Sequence, residues 1–281
     1  MRLHRKLAVL GLVVFLIVTT LVACGQHLGE GETGVPTSPP PANPPPTNPP
    51  VEMTVEEHFQ KGNDYIKAGQ FDKAVAEFEA VLQFEPERVS ALTNLGVAYY
   101  NVGRLDDAIA QYQKALAVGP DDADIHSNMA AAYVQKNDLA QALAEYQKAI
   151  QINPKLAQAH FGLAVVYLQQ GQNDQALEEL LLFQANDDGT DQLATAQACV
   201  YLGAIYLDKG ELEKALVEYQ KALQINPQLA PAHFGVGLVY AQLGQNDQAI
   251  KALEQFQRYD DGVNSAMTDQ AAQLLKELKG E

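Results

Sequence analysis

The sequence predicts an all-α fold made of short helices that pair and stack, and three observations lead to this prediction. A spacing of apolar and small residues recurs between residues 55 and 263, at a step of 34 residues in most places. Inside each repeat the apolar residues return every three or four positions, which is typical of a helix with one buried face. Glycine and proline separate these segments at regular intervals. Such a period indicates stacked helix pairs rather than one globular core.

The stretch from Val89 to Asp122 shows one helix pair clearly. Its two apolar faces are formed by Leu92, Leu95 and Tyr99 on the first helix and by Ala108, Tyr112 and Ala115 on the second. Gly96 and Ala108 are small enough to let the two backbones approach closely. Pro120 then ends the second helix, because proline lacks the amide hydrogen that a helix interior requires.

Six repeats align at four positions. The first helix carries a small residue at Gly62, Gly96, Ala130, Ala164, Gly203 and Gly237, and a tyrosine three residues later at Tyr65, Tyr99, Tyr133, Tyr167, Tyr206 and Tyr240. The second helix carries an alanine at Ala74, Ala108, Ala142, Ala176, Ala215 and Ala249, and a large residue at Phe78, Tyr112, Tyr146, Leu180, Tyr219 and Leu253. This pattern resembles the tetratricopeptide repeat (TPR).

The resemblance implies a right-handed superhelical α-solenoid of six helix pairs. The pairs would occupy residues 55–88, 89–122, 123–156, 157–190, 196–229 and 230–263, and a capping helix would follow in residues 264–281. The capping helix has Met267, Ala271, Leu274, Leu275 and Leu278 on one face, which suits a helix that covers the last apolar surface of a stack.

The fourth and sixth repeats depart from the pattern in the same way. Asp188 and Asp261 stand where the other repeats have proline, and Phe183 and Phe256 stand where the others have alanine or valine. The step after the fourth repeat is 39 residues, so a longer loop or a kink is expected at Asn186–Asp191, with wider spacing around the phenylalanine rings. A longer period of 73 residues also relates residues 146–162 to 219–235 at 14 of 17 positions, which indicates duplication of two repeats together.

The N-terminus has the features of an export signal. Arg2, Arg5 and Lys6 precede an uncharged apolar run of 16 residues, Leu7 to Val22, and the run ends in Leu21-Val22-Ala23-Cys24. This resembles the bacterial lipobox, which implies cleavage of residues 1–23 and lipidation of Cys24. An ordinary cleaved signal peptide with a chance cysteine and an uncleaved anchor helix are the alternatives. The prediction is an exported protein, lipid-anchored to a bacterial membrane on its periplasmic or extracellular face.

Residues 24–54 contain nine prolines separated by small polar residues, and we expect a disordered linker in a polyproline II state. At ~3.1 Å per residue, residues 35–50 would hold the folded part about 50 Å from the lipid. A proline ligand for a recognition domain is the other interpretation of this composition.

Charge and motifs exclude several functions. Nineteen basic residues against 35 acidic ones give a net charge of −16, and removal of three basic residues with the signal would give −19. Nucleic-acid binding is not expected, because neutralising phosphates requires a basic surface.

No motif in the sequence indicates a metal or catalytic site. One register of the first helix holds a histidine or a cysteine in five different repeats, namely His58, His126, His160, Cys199 and His233, so packing is expected there rather than a metal site. Asp187–Asp191 lacks the spacing of a calcium loop, and a turn is expected. The chain is predicted to be a non-enzyme without cofactor, metal or small-molecule substrate.

Partner binding is the remaining function. The resemblance implies that positions two, five, nine and twelve of each repeat line a concave groove, and positions five, nine and twelve predict an apolar surface in the last three repeats. Its residues are Phe161, Val165, Leu168, Val200, Ala204, Leu207, Phe234, Leu238 and Ala241. An apolar or amphipathic segment of a protein would bind there; the alternative is that these side chains belong to the core. In the N-terminal half the corresponding positions form a more polar surface without the cations that grip a peptide carboxylate, and they are Phe59, Asn63, Thr93, Val97, Tyr100, Asp124 and Ser127.

Three functions are compatible with this surface. The first is a lipid-anchored adaptor of the bacterial cell envelope that serves the assembly or secretion of machinery such as pili or outer-membrane proteins. The second is a non-catalytic accessory subunit of a cell-wall or polysaccharide enzyme, and the third is a self-assembling scaffold. The partner, the membrane and the oligomeric state do not follow from the sequence.

Overall fold

A computed structural model describes residues 53–280, and within them thirteen α-helices and no strand are present. The helices are α1 Val55–Lys67, α2 Phe71–Phe84, α3 Val89–Asn101, α4 Leu105–Val118, α5 Ala123–Gln135, α6 Leu139–Ile152, α7 Ala157–Gln169, α8 Asn173–Asn186, α9 Gln192–Asp208, α10 Leu212–Ile225, α11 Ala230–Gln242, α12 Asn246–Tyr259 and α13 Ser265–Lys279. The predicted fold class, an all-α array of helix pairs, is confirmed. The predicted signal peptide, Cys24 and almost all of the proline-rich linker lie outside the described residues.

The described chain divides into two compact units, residues 53–136 and residues 137–280. The N-terminal unit contains α1 to α5 and the C-terminal unit contains α6 to α13. Each helix within a unit contacts the next one, so the pairs pack in sequence order. No helix among these residues is both long and apolar enough to cross a membrane.

The helices of a pair approach closely because a glycine lies under an aromatic ring. A Cβ atom placed on Gly96 would lie 2.5 Å from Tyr112, and one placed on Gly203 would lie 2.8 Å from Tyr219. Both distances are shorter than a van der Waals contact, so only glycine fits at these positions. The predicted pairing of small and large residues is therefore confirmed in atomic detail.

The turn between the two helices of a pair requires a left-handed residue. Gly69 and Gly103 have positive φ angles there, and in the third repeat Asn137 takes this conformation with φ 59°. Asparagine is one of the few other residues that tolerate the left-handed region. Asn137 can therefore form the same turn as the glycine of the other repeats, and the third repeat keeps the helix pair without that glycine.

The longer loop after the fourth repeat is confirmed, and the helix that follows it begins earlier than the repeat alignment implied. Helix α8 ends at Asn186 and α9 starts at Gln192, four residues before residue 196. The Asp191 side chain caps α9 by accepting a hydrogen bond from the Ala194 amide, and Thr195 Oγ1 donates to Asp187 Oδ2 at 2.6 Å. These bonds stabilise an extra helical turn before the predicted start.

The 73-residue period is also present in the structure. Helices α6, α7, α8 and α9 begin at residues 139, 157, 173 and 192, and α10 to α13 begin 73 residues later in each case, at 212, 230, 246 and 265. Thr268 Oγ1 donates to Asp260 Oδ2 at 2.5 Å, as Thr195 does to Asp187. Helix α13 is therefore the counterpart of α9, and it buries Met267, Ala271 and Leu275 in the C-terminal core.

Candidate functional site

The predicted apolar groove in the last three repeats is closed in this structure. Seven of its nine residues are buried, namely Val165, Leu168, Val200, Ala204, Leu207, Phe234 and Leu238, and only Phe161 and Ala241 are half-buried. The expectation of an exposed surface at the seven positions is wrong. Whether Phe161 and Ala241 bind a partner stays a prediction.

Aromatic packing explains why the groove is closed. Phe161 lies with its ring centroid 5.3 Å from that of Phe183 and 6.1 Å from that of Tyr201, which belongs to the first helix of the following pair. Phe234 packs in the same way on Phe256, at 5.3 Å. Because the phenylalanine rings turn inward and α9 also contacts α11, the first helices cover one another's apolar faces. The rings that were expected to widen the spacing instead fill the core.

The first-helix face of the N-terminal unit remains more open. Thr93, Val97 and Tyr100 on α3 are half-buried, as are Phe59 and Asn63 on α1. Asp124 on α5 is exposed, whereas Ser127 is buried, so the expectation of a surface position is wrong for Ser127. Asn94 Nδ2 donates a hydrogen bond to Asn63 Oδ1 at 2.7 Å, which joins α1 to α3 across this face. The bond leaves donors on Asn63 and an acceptor on Asn94, and these are the two groups needed to pair with a peptide unit. The sequence had indicated a polar surface here, but not the pairing of the two amides.

Charged side chains fix the edge of this face. The Arg88 guanidinium lies 3.8 Å from the centroid of the Phe59 ring and pairs with Glu56 at 3.0 Å and Glu85 at 3.2 Å. His58 Nδ1 lies 2.6 Å from Glu77 Oε2, and Lys61 Nζ lies 2.7 Å from Glu77 Oε1. Burial raises the pKa of Glu77, but the hydrogen bonds from Lys61 and His58 outweigh it and the net pKa is lowered. Glu77 is therefore ionised at neutral pH, and it joins α2 to His58 and Lys61 of α1.

Histidine side chains in this register make structural bonds, either to a glutamate of their own repeat or to the carbonyl of the proline that ends the preceding repeat. His160 Nδ1 lies 2.6 Å from Glu179 Oε2 and its Nε2 lies 2.9 Å from the Pro154 carbonyl. His58 and Glu77 are separated by the same 19 residues as His160 and Glu179. This shared spacing was the signal that sequence reasoning missed. Among the described residues no group of three or more potential ligands is arranged to hold a metal ion.

The remaining candidate residues are also structural. Cys199 is buried, as expected, and burial, with a smaller contribution from the Glu218 carboxylate, raises the pKa of its thiol to about 11. The acidic loop forms turns, since Asp187 and Asp188 accept hydrogen bonds from the amides of Gly189 and Thr190. These carboxylates are used by the loop's own backbone, as the sequence predicted.

Comparison with protein families identifies the class. One model described as TPR repeat matches the chain twice, at residues 130–171 and 203–244, and two models described as tetratricopeptide repeat match residues 59–123 and 230–261. The chain belongs to the tetratricopeptide repeat family. No curated protein sequence matches it significantly.

Solved structures share the fold. A thermophilic TPR protein of Thermus thermophilus, TTC0263, is 26% identical, with a TM-score of 0.52 over 68% of this chain and 100% of that one. MamA protein is also 26% identical, with a TM-score of 0.50 over 63% of this chain and 93% of that one. Pseudomonas aeruginosa PilF has a TM-score of 0.68 over 80% of this chain and 96% of that one, and at 18% identity it shows the fold alone.

Proposed function

We propose that this protein is a non-catalytic scaffold that binds an extended segment of a partner protein at the first-helix face of its N-terminal unit. The hydrogen-bonded pair of Asn63 and Asn94 carries the proposal. An Asn63 amide donor and the Asn94 carbonyl acceptor complement the C=O and N–H of a peptide unit, and Val97 and Tyr100 offer apolar area beside them. Membership of a repeat family whose fold serves protein–protein interaction supports the same function.

The scaffold is proposed to be exported and held at a bacterial membrane by lipid on Cys24. The basic N-terminus, the 16-residue apolar run and the cysteine directly after Ala23 support this location. Two or three acyl chains on one cysteine would give stable attachment, because each buried CH₂ contributes about 0.8 kcal/mol. The partner is proposed to belong to envelope assembly or secretion machinery, such as that of pili or outer-membrane proteins.

Photocrosslinking tests the binding face. A photoreactive amino acid at Val97 is expected to capture one discrete polypeptide in the native host, and Asn63→Ala with Asn94→Ala is expected to abolish that capture. Asn101→Ala serves as the matched control, since Asn101 lies on α3 but is exposed and its side chain donates to the Val97 carbonyl of the same helix. Capture that survives the double substitution would contradict the proposed face, and a captured synthase or hydrolase would favour the accessory-subunit alternative.

Metabolic labelling tests the anchor. Radioactive palmitate is expected to enter the wild-type chain but not Cys24→Ser, and the substituted chain is expected to leave the membrane fraction. Label in the Cys24→Ser chain, or an unlabelled wild type, would rule out lipidation at Cys24.

A further inference from the structure

Helix α8 carries an exposed apolar pair that its duplicate lacks. The side chains of Leu181 and Leu182 are adjacent on the outer face of α8 and are 43% and 44% exposed. Glu178 and Ala185 lie on the same face, three or four residues away, and are also exposed. The 73-residue counterparts on α12 are Lys251, Glu254, Gln255 and Arg258, all of which are polar.

The duplicate shows that the fold does not require these leucines. Helices α8 and α12 have the same length and the same starting register, and Phe183 is buried in one as Phe256 is in the other. Helix α12 therefore forms with a polar pair at this position, and Glu254 of that pair bonds to Lys279 of α13 at 2.9 Å, whereas the counterpart of Lys279 in α9 is Tyr206. The two copies also differ in exposed apolar area at the start of the next helix. Leu193 of α9 is 61% exposed, whereas its counterpart in α13 is Ala266, whose side chain is a single methyl group.

Other exposed apolar side chains in the C-terminal unit do not form such a face. Val217 on α10 and Val263 before α13 are 49% and 60% exposed, and Ile152 at the end of α6 and Leu243 after α11 are each 39% exposed, but the four lie on different helices or loops and form no adjacent pair. Singly exposed residues of this kind are common on protein surfaces, whereas adjacent ones on a helix face indicate an interaction site.

Charge indicates what covers this face. No lysine or arginine occurs between Lys155 and Lys209, whereas seven acidic residues do, namely Asp174, Glu178, Glu179, Asp187, Asp188, Asp191 and Asp208. Asp174 pairs with Lys209 and Glu179 with His160, while Glu178, Asp188 and Asp191 are exposed. An apolar strip bordered by carboxylates complements an apolar strip bordered by cations. The same carboxylates would repel anionic lipid head groups and a second copy of this acidic chain.

We propose that the outer face of α8, centred on Leu181 and Leu182, docks a cationic amphipathic helix of a partner protein. This surface is separate from the first-helix face of the N-terminal unit, so it would give the scaffold a second binding site of different chemistry. The leucines supply apolar contact, and Glu178 with the acidic loop after α8 selects basic flanks.

Binding of a designed peptide tests the proposal. The probe is a fluorescent helix of about 18 residues, built from leucine and lysine with leucines at i, i+3, i+4 and i+7, and a leucine–glutamate peptide of the same pattern is its control. Fluorescence anisotropy with the full-length chain is expected to give saturable binding of the lysine peptide and none of the glutamate peptide. Replacing the pair by the α12 residues, L181E/L182Q, is expected to weaken binding by roughly tenfold or more.

The sign of the charge change makes this variant informative. L181E adds a negative charge, so it would strengthen any purely electrostatic attraction to the lysine peptide, and a loss must come from the apolar contact. V217E adds the same charge at an exposed helix position and is expected to leave the affinity unchanged. Ala185→Arg places a cation on the same face, as Arg258 does on α12, and is expected to weaken binding without unfolding the helix.

Several results would overturn the proposal. These are an absence of saturable binding, equal losses in L181E/L182Q and V217E, or equal binding of the two peptides. Self-association or binding to phosphatidylglycerol vesicles that disappears in L181E/L182Q would assign the face to a second copy or to a membrane instead. Asn63→Ala with Asn94→Ala should leave peptide binding intact, so failure here and failure of the proposed N-terminal face can be told apart.

Discussion

A side chain can be well packed and still lack a hydrogen bond that its polar atom needs, and Tyr219 is such a case. Its ring is fully buried and lies against both Gly203 and Gly235, while its hydroxyl has no hydrogen-bond partner among the described residues. Burying an unsatisfied hydroxyl costs about 1–3 kcal/mol. The aromatic ring is needed at this position, but the hydroxyl is not.

Replacing Tyr219 by phenylalanine is therefore expected to raise the free energy of unfolding by about 1 kcal/mol. Urea denaturation followed by circular dichroism measures the change. Tyr99→Phe is the matched control and should have the opposite sign, because the Tyr99 hydroxyl donates to Glu79 at 2.6 Å. A Tyr219→Phe protein less stable than wild type would show that the hydroxyl is bonded in solution.

Glu77 gives the N-terminal unit a dependence on acid. Because its folded-state pKa lies below the ordinary value of 4.5, its ionised form stabilises the fold above that pH, and the stabilisation disappears as the pH falls through the folded pKa. Glu77→Gln is expected to be less stable than wild type at neutral pH and nearly equal to it at the acid end of the titration. Urea midpoints across the acid range measure this, and Glu85→Gln, which removes only a surface pair with Arg88, should change little. A constant difference at all pH values would refute the assignment.

At the scale of the helix pair, the decisive feature is the glycine that faces an aromatic ring from the preceding pair. A Cβ on Gly235 would lie 2.2 Å from Tyr219 Cζ, although the two residues belong to different repeats. The spacing of small and large residues in the repeats predicts the contact between glycine and ring within a pair, but it does not predict this second contact between pairs. Tyr219 is thereby enclosed on two sides, which locks the fifth repeat to the sixth.

Gly235→Ala is expected to destabilise the protein by about 1–3 kcal/mol, because the added methyl group forces the Tyr219 ring to move. Thermal unfolding measures the loss. Gly119→Ala should be nearly neutral, since its nearest atoms are 4.0 Å away. Combining Gly235→Ala with Tyr219→Leu, the residue type found at Leu180 and Leu253, should cost less than the sum of the two single changes. Strict additivity would mean that the two side chains do not meet.

Helix boundaries and pairing could be predicted from the sequence because they depend on local spacing, as at Gly96 and Tyr112. Exposure of the first helices could not, because it depends on which side chains from neighbouring pairs reach the same space. Phe183 and Phe256 turn inward onto Phe161 and Phe234, and no rule of spacing fixes that choice of rotamer. The open face was consequently predicted in the C-terminal half, whereas the structure leaves it in the N-terminal unit.

At the scale of the whole molecule, α13 contributes side chains to the core of the C-terminal unit. Met267, Ala271 and Leu275 of α13 are buried, and Leu274 and Leu278 pack on the same core. The positions of α13 that correspond to Leu202 and Gly203 of α9 are Leu275 and Lys276, and Lys279 corresponds to Tyr206. Lysines thus replace residues that in α9 lie in the core or border it, and both lysines are exposed on α13.

A chain ending at Asp261 is expected to lose about 2–5 kcal/mol of stability in the C-terminal unit, because three buried side chains are removed and α12 is uncovered. Hydrogen exchange read by mass spectrometry should show lower protection in α11 and α12 and unchanged protection in residues 53–136. Replacing exposed Lys276 by alanine in the full chain should leave all protection unchanged. Equal loss in both units would show that they unfold as one.

The 73-residue duplication has a consequence for how this protein acquires new ligands. Each copy of the duplicated segment consists of four helices that already pack into a core. A second copy can therefore change its solvent-exposed side chains without losing that core. Exposed leucines on α8 and polar side chains on α12 are the result expected when the surface of one copy evolves to bind a partner and the surface of the other copy does not. Further duplications of this segment would add four helices at a time, and each addition would supply another exposed helix surface that could evolve to bind a ligand.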